Sequence, residues 1–75
     1  MNVYSIVHNW RIVWERDFRQ WDEVVKYVRD NMQAFIAGEA FVVRVTPTQW
    51  LRIDPTSIIT ALQAGDQVHQ IAEPE

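Results

Sequence analysis

The chain has no cysteine, so disulfide staples and thiolate metal sites are excluded. Glycine occurs twice and proline three times in 75 residues, too few for a linker-rich or low-complexity chain. No apolar run approaches the roughly 18 residues of a membrane span. The opening MNVYSIVHNW lacks a basic segment followed by an apolar core, so no signal peptide is expected and the cytoplasm is the expected location. A basic excess is also missing. Seven Lys and Arg stand against ten Asp and Glu, for a net charge of −3. Proteins built to grip phosphate backbones usually show the opposite balance.

Apolar side chains are what this chain does have: 48% hydrophobic residues and 12% aromatic ones. At this length only about 60% of the unfolded surface can be buried. A single compact domain over residues 1–72, with a short tail at 73–75, is the organisation this allows.

The β-rich runs Val3–Val7 and Trp10–Trp14 flank His8-Asn9, and Asn tolerates the positive φ of a tight hairpin. With these two residues as the loop, Val3, Ser5, Val7, Trp10, Ile12 and Trp14 share the inner face. Tyr4, Ile6, Arg11, Val13 and Glu15 then share the outer one. A one-residue slip would exchange the two faces.

Asp17 and Gln20 have the spacing of a capping box. The stripe of Phe18, Trp21, Val24, Val25, Val28, Met32, Phe35 and Ile36 predicts one amphipathic helix ending at Gly38. A third strand follows at 40–45. Residues 50–53 read as a fourth, in preference to a helix starting at Thr46-Pro47, because Leu51 and Ile53 alternate with Trp50 and Arg52. Asp54-Pro55 opens a second helix, stopped at Gly65. The end of the chain reads as a short edge strand at Val68–Ala72 or as a frayed terminus. The order ββαββα predicts an α+β two-layer sandwich, with an antiparallel sheet of about four strands and two helices on one face.

Chemistry-bearing residues are sparse. His8 and His69 are the only imidazoles, and neither has the local spacing of a metal site. Ser5 and Ser57 read as structural, and Asp17 and Asp54 as helix caps. No catalytic residue, cofactor or metal ligand is expected, and the chain is read as a non-enzyme.

The stretch WRIVWERDFRQW, residues 10–21, holds three of the four tryptophans. It suits base stacking or a core seam. Two independent periodicities bury its rings, and local carboxylates cancel its arginines, so the core is the better reading. Trp50 differs, because an outward Trp beside Arg has the composition of a binding hot spot.

The expected function is therefore a small acidic protein–protein interaction module. It would be an accessory or inhibitory protein docking on a larger partner by a sheet edge or an exposed sheet face. Its candidate contact residues are Trp50, Arg52, Tyr4, Arg11 and Arg44. Small proteins of viruses and mobile elements commonly work this way, an expectation that rests on size alone. The alternatives are single-stranded nucleic-acid binding on the open sheet face and a homodimeric structural protein.

Overall fold

A computed structural model of the chain describes residues 2–13 and 20–74. In order, the elements are β1 (Val3–His8), β2 (Arg11–Ile12), α1 (Trp21–Asp30), α2 (Met32–Ile36), β3 (Ala40–Val45), β4 (Trp50–Ile53) and α3 (Thr56–Gln63). A one-turn 3₁₀ helix at Val68–Gln70 follows. The strands form a four-stranded antiparallel sheet in the order β2-β1-β3-β4, and the class is α+β. Long-range pairing is concentrated in β1 and β3, which match over all six residues from Val3↔Val45 to His8↔Ala40.

The first hairpin corrects the expected register by one residue. The loop is Asn9-Trp10, with His8 opposite Arg11 and Val7 opposite Ile12. Both loop residues have positive φ, 53° at Asn9 and 65° at Trp10, as a type I′ turn requires. Every side chain of β1 therefore lies on the face opposite to the one expected. Tyr4 and Ile6 are buried, and Val3 is 40% exposed.

The exchange has a physical reason. The expected inner face would have placed the Ser5 hydroxyl at the centre of the core. The observed one buries the larger Tyr4 and Ile6, and it gives the polar atoms of Tyr4 and His8 hydrogen-bond partners. Trp10, expected in the core, is 91% exposed. The expected inward position of Trp14 and the cap at Asp17 fall on residues 14–19, outside the described residues.

The long helix begins later than expected. Gln20 is extended, with φ −108° and ψ 132°, so it precedes the helix instead of lying in its first turn. Trp21, Val24, Val25 and Val28 form the buried stripe, in keeping with the helical spacing. Asn31 then interrupts the helix with φ −129° and ψ 33°. Its backbone N–H and its side-chain amide both donate to the Tyr27 carbonyl at 3.0 Å, so the chain re-aims before α2. As a result Phe35 is buried but Ile36 is 50% exposed, although both lie on the expected stripe. Gly38, at φ 78°, makes the left-handed turn into β3.

Thr46 and Gln49 close the β3–β4 turn. The Thr46 N–H and hydroxyl both donate to the Gln49 carbonyl, at 2.9 and 2.8 Å. The Gln49 N–H donates back to the Thr46 hydroxyl at 3.0 Å. The Asp54 carboxylate accepts from the Thr56 N–H at 3.0 Å and from its hydroxyl at 2.6 Å, which starts α3. The expected strand at Val68–Ala72 is instead the 3₁₀ turn, fixed by the Gln67 N–H donating to the Gln70 side-chain carbonyl at 2.7 Å.

The core joins Tyr4, Ile6, Ala40 and Val42 of the sheet to Trp21, Val24, Val25, Val28, Phe35, Ile58 and Ile71. All four sheet residues lie on one face, by the pairings Tyr4↔Arg44, Ile6↔Val42 and His8↔Ala40. Trp21 packs at 5.2 Å from the Tyr4 ring, and its indole N–H donates to the Ile71 carbonyl at 3.0 Å. One side chain thus ties sheet, helix and C-terminal segment together. The buried indole also keeps a hydrogen-bond partner. Among the described residues no helix is long and apolar enough to cross a membrane.

Candidate interaction surface

Alternation along the paired strands sorts side chains to the two faces of the sheet. The face away from the core carries Ile12 on β2, Val3, Ser5 and Val7 on β1, Phe41, Val43 and Val45 on β3, and Trp50 and Arg52 on β4. Seven of these nine are apolar, and none is acidic. No described element packs across this face. Val43 at its centre, between Ser5 and Arg52, is buried at 4% exposure, and Ser5, Val7, Phe41 and Val45 are half-buried, whereas Val3 and Trp50 at its margin are 40% and 46% exposed. The Arg52 guanidinium lies 4.2 Å from the centre of the Phe41 ring, so its charge rests on an aromatic face instead of projecting freely.

The five candidate residues do not form one patch. Trp50 and Arg52 lie together on the open face, as the alternation of β4 predicts. Tyr4 and Arg44 pair with each other on the core side, which corrects the expectation that they share a surface with Trp50. Tyr4 is 3% exposed, and its hydroxyl donates to the Glu73 carboxylate, which also accepts from the Asn2 amide at 2.7 Å. Burial, then the bond to Glu73, pushes the Tyr4 phenol up to about 12. The same bond from Tyr4, followed by that from Asn2, holds the Glu73 carboxyl below the usual carboxylate range. This pair is a clasp for the end of the domain, and it ties down Glu73 in the expected tail. Arg11 is exposed beside the hairpin loop, opposite His8.

Sequence reasoning missed Trp10. Among the described residues its ring is the most exposed of the large apolar side chains, and its backbone is left-handed, which a bulky residue rarely adopts. The available signal was Asn9, a strong first residue for a type I′ loop. A loop starting there would have moved Trp10 out of the strand. Gly usually fills the second position, and its absence concealed the turn.

His8 Nδ1 lies 2.8 Å from the Tyr27 hydroxyl, with the rings edge to face. That arrangement supports packing of β1 on α1. Among the described residues, no group of three or more His, Asp or Glu side chains could hold a metal ion. A cleft of about 280 Å³ lies between the end of β4, α3 and the C-terminal segment, slightly below the ~300 Å³ lower bound of typical ligand pockets. No protein-family model, curated protein sequence or solved structure matches the chain.

Proposed function

We propose that the chain is a small, acidic, non-enzymatic interaction module of the cytoplasm, an accessory or inhibitory protein that docks on a larger protein partner. The observation that carries this reading is the open sheet face. Seven apolar side chains, one arginine stacked on Phe41 and no carboxylate match the core of a protein interface better than a solvated surface. Trp50 is the anchor, exposed and adjacent to Arg52. Trp10 is a second anchor, held at a hairpin tip in a backbone conformation that costs stability. A residue retained at such a cost on the surface fits function better than folding.

Single-stranded nucleic-acid binding gains less support. It needed Tyr4 and Arg44 beside Trp50, and both lie on the core side. The remaining open face offers one arginine, too little charge for a phosphate chain. A second copy of the chain is the other apolar partner the face could meet.

The test is affinity capture from host lysate with wild-type, Trp50→Asp and Trp10→Asp baits, each checked for folding by circular dichroism. A partner retained by the wild type and lost with both variants supports the reading. A partner retained equally by all three overturns it. Sedimentation of the wild type and of Trp50→Asp separates self-association: a dimer that dissociates with the variant assigns the face to a second copy.

A further inference from the structure

β4 is an edge strand, and one of its sides has no strand partner among the described residues. The Thr46 N–H bonds the Gln49 carbonyl, so an antiparallel ladder next bonds Arg44 to Leu51 and Val42 to Ile53. The backbone groups of Trp50 and Arg52 then turn toward the free edge. Pro47 and Pro55 lie beyond either end of the strand and confine any added pairing to about four residues. The opposite edge, β2, has only two residues and offers a poorer template.

The 280 Å³ cleft opens at the C-terminal end of this strand. Its walls are apolar, from Ile53 of β4, Ile58 of α3, Trp21 and Ile71. Asp54, Ser57 and Glu73 supply the polar lining. Glu73 is committed to Tyr4 and Asn2 and feels the charge of Arg44. Asp54 is exposed and, among the described residues, bonds only the uncharged groups of Thr56, so the local charge is negative. Ile53 and Leu51 point to the side of the sheet that the cleft belongs to. A strand added to β4 would present alternate side chains on that same side. Backbone pairing and a pocket for an alternate side chain are the two parts of recognition by strand addition.

We infer that the free edge of β4 takes an extended segment of a partner protein, with an apolar side chain in the cleft and a basic residue two positions away beside Asp54. This rests on the proposed docking function and names the partner's chemistry. The cleft is too small for much more than one large side chain, and its rim favours a cation. The chain's net charge of −3 acts in the same direction.

The test is selection of random peptides displayed on phage against the immobilised full chain. The strongest peptide is then synthesised and titrated by amide and methyl NMR. The inference expects enrichment of an apolar residue two positions from Lys or Arg, with shifts at β4 amides and at the Ile53, Ile58 and Ile71 methyls. Ser57→Trp, which fills the cleft from an exposed helix position, should weaken the peptide by about tenfold or more. N-methylation of the peptide's alternate amides should do the same, and it decides the matter if Ser57→Trp fails to fold. Shifts centred on Val3, Val45 and the Trp50 indole, with the cleft methyls unmoved, would overturn strand addition and leave docking by the open face intact. Failure to enrich the apolar–basic pattern would overturn the inference as well.

Discussion

Replacing Trp10 by glycine tests the strained hairpin directly, because the two possible environments of the ring predict effects of very different size. In the observed turn the residue sits at φ 65°. A left-handed conformation costs a non-glycine residue about 1–2 kcal/mol, which glycine avoids. Glycine gives back roughly 0.5–1 kcal/mol through the greater freedom of its unfolded chain. The ring is 91% exposed, so it covers only about 20 Å² of a tryptophan's surface, worth roughly 0.5 kcal/mol. Trp10→Gly should therefore fall between a loss of about 0.5 kcal/mol and a gain of up to about 1 kcal/mol. In a domain of this size that gain corresponds to a rise in Tm of up to about 8 °C. Urea unfolding with an unchanged slope would give the number cleanly. A buried ring would instead cost about 3–5 kcal/mol on removal. A loss above about 2 kcal/mol would refute both the turn assignment and the surface position of Trp10.

Trp21 is the contrasting case: Trp21→Ala should cost about 3–5 kcal/mol, since it opens the core and leaves the Ile71 carbonyl without its donor. A neutral result in urea unfolding would contradict the core. Tyr4, with its phenol pushed up to about 12 against an unfolded value near 10, contributes stability that is complete below pH ~10 and lost as pH rises toward ~12. Tyr4→Phe should flatten that decline in unfolding midpoints. At the acid end, the depressed Glu73 carboxyl contributes stability above the ordinary carboxylate range, which is lost as pH falls through its lowered value. Glu73→Gln should remove that dependence, and an unchanged acid limb would deny the clasp. Trp50→Ala should change stability by less than about 1 kcal/mol while weakening partner capture, and unfolding would place the ring in a core.

The elements and class were legible because their periods are strong. The stripe from Trp21 to Val28 has a spacing of 3.6, and β4 alternates cleanly enough to separate Trp50 from Leu51. Strand was also the better choice over helix at residues 50–53. The hairpin face was not legible. Both faces of Val3–His8 carry apolar residues, so the pattern could not choose between them. The decision came from partners distant in sequence: Glu73 for Tyr4 and Tyr27 for His8. Tertiary contact also decided the fate of the last residues. Val68–Ala72 has strand-like composition, but the Trp21 indole and the Tyr4 hydroxyl draw that segment across the helices. The break at Asn31 was hidden because the apolar stripe runs on through Phe35. Of the surface, Trp50 with Arg52 could be read from local alternation, whereas Tyr4, Arg44 and Trp10 depended on the register and moved with it.

Relaxation of side-chain NMR signals by a neutral, soluble paramagnetic agent tests the assignment of faces most directly. The account predicts strong broadening at the Trp10 and Trp50 indole N–H groups and at the Val3 methyls, with protection at Trp21, Ile6 and Val42. Protected Val3 and Val7 methyls together with broadened Tyr4 and Ile6 would contradict it, because the open apolar face would then be the core.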